Sequence, residues 1–91
     1  MTKGEFIGYL IDNEIPYTEY SNGTVEHIYV LSKKETKLKK AHPRKYKDLF
    51  VPYVRVNVDG FYDGEFYIRD SGWCHTVNEE MLMNIVRKLG A

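Results

Sequence analysis

Phe6, Ile7, Leu10 and Ile11 recur at i, i+1, i+4 and i+5, the spacing of one helical face. Thr2 and Glu5 stand ahead of them at the spacing of a capping box, in which a hydroxyl and a carboxylate satisfy the free amides of a helix start. Asn13 and Ile15 close the segment, because a residue before proline, here Pro16, avoids the α region. The pattern predicts a helix over residues 3–12. "YTEYSNGTVEHIYVL" reads as a hairpin, with Asn22-Gly23 as a type I′ turn. That turn sets Tyr17 opposite Ile28, Tyr20 opposite Val25 and Thr18 against His27.

In the second half Val54, Val56 and Val58 alternate with Tyr53, Arg55 and Asn57, a strand with one buried face. Asp59-Gly60 and Asp63-Gly64 compete as turn signals. Placing the turn at Asp63-Gly64 and a bulge at Asp59-Gly60 brings Val54, Val56, Val58, Phe61, Phe66 and Ile68 to one face. Thr76 and Glu79 repeat the capping-box spacing before Val77, Met81, Leu82, Ile85, Val86 and Leu89, a helical stripe that Gly90 ends. The expected fold is α+β in the order α-β-β-β-β-α. It is a four-stranded antiparallel sheet with two helices packed on one face, in a single domain over residues 1–91.

Between the hairpins neither periodicity holds. Residues 33–48 contain Pro43 and carry eight of the chain's thirteen lysines and arginines but two of its thirteen acids. The segment reads as a long, exposed basic connection with one helical turn at 44–49. The formal net charge of zero therefore conceals a basic stretch set against an acidic remainder. A loop of this length in a compact domain is usually functional or disordered. Lys33, Lys34, Lys37, Lys39, Lys40, Arg44, Lys45 and Lys47 have the charge to neutralise phosphates and release counterions.

If the valines point inward, Tyr53, Arg55, Tyr67 and Arg69 point outward on neighbouring strands. Tyrosine and arginine interleaved on an open sheet stack bases, and the same residues dominate protein-interface hot spots. The bland alternative has Arg55 and Arg69 neutralised by Asp59 and Asp70. One cysteine, Cys74, rules out an internal disulfide and disfavours a cysteine-based zinc site. With no signal peptide and no long apolar run, a reducing cytoplasm is the expected setting, without membrane contact. Trp73-Cys74-His75 offers a thiol beside an imidazole, but neighbours in extended chain point to opposite sides. Asp59, Asp63 and Glu65 surround a glycine-rich turn without calcium-loop spacing. No metal or cofactor is expected.

"GTVEHIYV" after an initial helix, with "TVNEEMLMNIVRKLGA" at the end, resembles HicA-type mRNA interferase toxins. That resemblance covers the first 30 and last 16 residues, implies a double-stranded-RNA-binding-like fold and puts His27 at the position of a catalytic histidine. The family's glycine-serine-histidine signature is missing, and the segment 31–75 is longer than the family needs. The reading drawn from the residues is a small non-enzymatic interaction protein. It would be a regulator or inhibitor of the phage or mobile-element kind, engaging a nucleic acid or a nucleic-acid-handling protein. The alternatives are a small RNase using His27 and a homodimeric structural module joined through its tyrosine-rich sheet faces.

Overall fold

Both terminal helices are set by their caps. In the computed structural model, which describes residues 1–70 and 72–91, the Glu5 amide donates to Thr2 Oγ1 and the Thr2 amide to Glu5 Oε1, each at 3.1 Å. The capping box starts α1, Lys3–Asp12, whose Phe6 and Leu10 are buried. Ile11, expected in the core, is instead 59% exposed, because α1 meets the sheet along its Phe6–Leu10 edge. The last helix starts differently from the expectation. Asn78 Oδ1, not the Thr76 hydroxyl, accepts the Met81 amide at 2.9 Å, and the helix runs Glu79–Leu89. Thr76 and Val77 are withdrawn from it by a strand, so Val77 reaches the core from the sheet. Met81 is half-exposed, while Leu82 and Val86 carry the buried stripe.

The sheet has five antiparallel strands, ordered as they occur in the chain: β1 Tyr17–Ser21, β2 Glu26–Leu31, β3 Tyr53–Asn57, β4 Phe66–Asp70 and β5 Trp73–Val77. This corrects the four strands read from the sequence. β5 lacks an apolar alternation because it is an edge strand with only Val77 buried. Two further helices correct the expected pair of helices. Residues Lys33–Ala41 form α2, where an irregular connection was predicted, and Gly60–Asp63 form the single-turn α3, where a bulge was predicted. The helix Glu79–Leu89 is accordingly α4.

The first hairpin turns through four residues, not two. Ser21 pairs with Glu26 and Tyr17 with Val30, two positions away from the type I′ register. A type I′ turn needs positive φ at Asn22, and among the described non-glycine residues only Glu14 has it. Asn22 instead accepts the Thr24 and Val25 amides on its side-chain oxygen, at 3.1 and 2.8 Å. The two-residue shift preserves parity, so every side chain keeps its face. In the second hairpin α3 replaces the bulge and still delivers Phe61 to Phe66, with rings edge to face at 5.0 Å. Gly64, at φ 78°, closes α3 in the left-handed conformation.

Phe6, Leu10, Leu82 and Val86 from α1 and α4 share one core with Ile28, Val30, Val54, Val56, Val58, Phe66, Ile68 and Val77. Each such fully buried side chain contributes on the order of 1.5–3 kcal/mol by removal from water. All of these strand residues lie on the helix side of the sheet. None of the residues that alternate with them is buried.

Candidate functional site

The uncovered face is built by register. Residues directly opposed across an antiparallel ladder share a face. One row crosses all five strands: Thr18 faces Tyr29, Tyr29 faces Arg55, Arg55 faces Arg69 and Arg69 faces Cys74. On one side of it Tyr20 faces His27 and His27 faces Asn57, while Tyr67 faces Thr76; on the other Leu31 faces Tyr53. The predicted Tyr53, Arg55, Tyr67 and Arg69 are therefore together. Tyr29 belongs with them and was missed, although its alternation with Ile28 and Val30 marks it as outward.

The alternative, in which Asp59 and Asp70 neutralise Arg55 and Arg69, does not form among the described residues. Among the described residues the ion pairs are Met1–Glu79, Lys3–Glu19 and Lys33–Glu14, and neither arginine takes part. Asp70 lies opposite Val54, on the helix side, so alternation turns it away from the neighbouring Arg69. Two like charges held opposite each other cost stability. The field of Arg55 reaches His27, whose pKa is lowered first by burial and then by that guanidinium. His27 Nδ1 is buried without a hydrogen-bond partner, and the ring stacks on Tyr20 at 6.3 Å. Tyr67 has its hydroxyl pKa raised, chiefly by a hydrogen bond with Cys74.

Lys33, Lys34, Lys37, Lys39 and Lys40 lie on α2; Arg44, Lys45 and Lys47 follow in a run of turns. The turns are closed by the Tyr46 amide on His42 O at 3.0 Å and the Leu49 amide on Tyr46 O at 3.1 Å. α2 buries no residue. Its Ser32 start was missed, although Ser32 and Glu35 stand at capping-box spacing and their side chains are hydrogen-bonded. An aromatic path joins this segment to the open face, since Phe50 lies 6.5 Å from Tyr53, and Tyr53 lies 6.0 Å from Tyr29. The segment that follows the basic run thus reaches the edge of the sheet face, where Phe50 lies against the half-buried Tyr53.

The remaining candidates separate. Cys74 pairs with Arg69 and His75 with Ile68, so thiol and imidazole sit on opposite faces and do not form a nucleophile-base pair. Asp63 Oδ1 accepts the Glu65 amide at 2.9 Å, which is turn chemistry. No group of three metal-ligating side chains occurs among the described residues. No helix in the described residues is long and apolar enough to cross a membrane. Compared with protein-family models, with curated proteins and with solved structures, the chain matches none.

Proposed function

We propose that this chain is a non-enzymatic interaction protein that holds a single strand of nucleic acid on its open sheet face. Tyr29, Tyr53 and Tyr67 supply planar surfaces for bases, and Arg55 and Arg69 supply charge for the phosphates between them. The observation that carries the reading is the arginine pair: two opposed guanidiniums without a carboxylate partner among the described residues, beside the exposed Tyr67 and the half-buried Tyr29 and Tyr53, on the face opposite the buried core. The lysines of α2, with Arg44, Lys45 and Lys47, extend the positive field and steer a polyanion toward it. A regulator or inhibitor of a nucleic-acid process is the corresponding role.

Fluorescence anisotropy with labelled single-stranded RNA and DNA tests this across a salt series. Binding should weaken steeply with salt, as counterion release requires, and should be lost in an R55E/R69E variant. Unchanged affinity in that variant would remove the sheet face from the reading; a protein captured through Tyr53 and Tyr67 would replace the ligand.

A second reading draws on His27, which borders a cavity of about 220 Å³ together with Lys3, Glu19 and Glu26. A histidine with a lowered pKa is neutral near pH 7 and is able to accept a proton from an RNA 2′-hydroxyl. RNA cleavage that vanishes in H27A would establish an RNase; intact RNA after incubation with the wild-type protein would exclude it.

A further inference from the structure

The outer surface of α2 is an ordinary solvated lysine face, but its inner side is not. A cavity of about 240 Å³ lies between α2 and the segment joining α1 to β1, bordered by Lys33, Lys37, Lys40, Thr36, Glu14 and Pro16. The three lysines are spaced i, i+4 and i+7, one helical face, which in most docked helices carries apolar residues. Here Lys33 is half-buried against the α1–β1 segment while Lys37 and Lys40 stand exposed at the rim of the cavity, and like charges at these spacings disfavour a helix.

Two observations converge on that cavity. Lys33 Nζ is held by Asn13 O at 3.2 Å and by Glu14 at 3.9 Å, whereas Lys37 and Lys40 have no ion pair among the described residues. Thr36 Oγ1 is buried and has no hydrogen-bond partner, so a hydroxyl beside the cavity is left with unused capacity. Glu14 adopts φ 55° as the left-handed residue that ends α1, with the Ile15 amide on Leu10 O at 2.8 Å and its own amide on Ile11 O at 3.1 Å, and this turn presents its carboxylate to Lys33. Three ammonium groups against one carboxylate leave an excess of two positive charges. A phosphate monoester carries about −1.5 to −2 at neutral pH and offers three acceptor oxygens.

We infer that the cavity between α2 and the α1–β1 segment is a binding site for a phosphate monoester, held by Lys37 and Lys40 with Thr36 as hydroxyl donor. Lys33, anchored by Asn13 and Glu14, fixes the wall. Rotation about χ1 presents the Thr36 hydroxyl to a bound oxygen. The site stands apart from the sheet face and does not depend on it: Arg55 and Arg69 do not border it. Its ligand is either the phosphorylated end of a nucleic-acid strand or a free phosphorylated small molecule.

Calorimetric titration of the full chain with inorganic phosphate, at constant ionic strength set with chloride, tests the site. Saturable binding is expected, weakened at least about tenfold in K37Q/K40Q and several-fold in T36V, since charge-assisted bonds are the stronger ones. Both substitutions sit on a helix that buries no residue, and circular dichroism checks that each variant is folded. Absence of saturable binding to folded wild-type protein, or equal affinity in K37Q/K40Q, would overturn the proposal. Oligonucleotides of one sequence with a 5′-phosphate or a 5′-hydroxyl identify the source. Preference for the phosphorylated strand assigns a strand terminus, and equal affinity with retained phosphate binding assigns a small molecule. The R55E/R69E variant should lose oligonucleotide affinity yet keep phosphate binding, which separates failure of this site from failure of the sheet face.

Discussion

Arg55 on β3 and Arg69 on β4 stand directly opposite each other on the face of the sheet away from the buried core, and neither has an acidic partner among the described residues. A cross-strand pair of like charge is a liability unless something else uses it. Replacing Arg69 by glutamine should therefore stabilise the isolated protein by about 0.2–1 kcal/mol while weakening nucleic-acid binding. Urea denaturation and anisotropy on the same preparation check both directions at once.

Gly60 approaches Phe66 so closely that a Cβ would lie 2.5 Å from Phe66 Cδ1 and 2.9 Å from its backbone Cα. The backbone contact has no easy relief. G60A should cost about 1–3 kcal/mol, measured as a lower urea midpoint, by the logic of overpacking.

The two possible starts of α4 are separable by mutation. Because Asn78 caps the Met81 amide, N78A should cost about 1 kcal/mol. T76A, on the exposed edge strand β5, should stay within about 0.5 kcal/mol of wild type. Thermal unfolding of the pair decides between the caps.

His27 gives the fold a pH dependence of definite sign. Its folded pKa lies below the ordinary value of 6.5, so the unfolded chain takes up this proton first as pH falls. The stability it contributes is fully present above 6.5 and is lost as pH drops through that value toward the lower folded pKa. The melting temperature should fall between about pH 7.5 and 5.5, with the unperturbed histidine range setting the window, and H27Q should flatten the slope.

The helices α1 and α4 were legible because their apolar residues recur at helical spacing, and the faces of β2 and β3 because their residues alternate. β5 was hidden for a physical reason: an edge strand with one buried residue has no alternation to reveal. α2 was hidden because a helix that buries nothing needs no apolar stripe, and its only local signal was the Ser32–Glu35 spacing. The turn at Asn22 was misread because asparagine serves two geometries, and the side-chain oxygen that accepts two amides prevailed over the left-handed backbone. Of the open face, the residues were legible from strand parity. The unpaired state of its arginines was legible only in part: parity already turns Asp70 away from Arg69, but the place of Asp59 depends on α3, which the sequence did not reveal.

The spatial sequence of the strands also bears on how quickly the chain can find its shape. Every neighbouring pair except β2 with β3 is joined by a short link, so most contacts close local loops, which form fast. Only the meeting of Val30 with Val54 must draw together chain ends separated by the whole lysine-rich segment. Within the sheet, loop-closure entropy is concentrated at that one step, and winding α2 beforehand shortens the gap. A helix that adds nothing to the core therefore acts on the rate at which the two halves of the sheet meet.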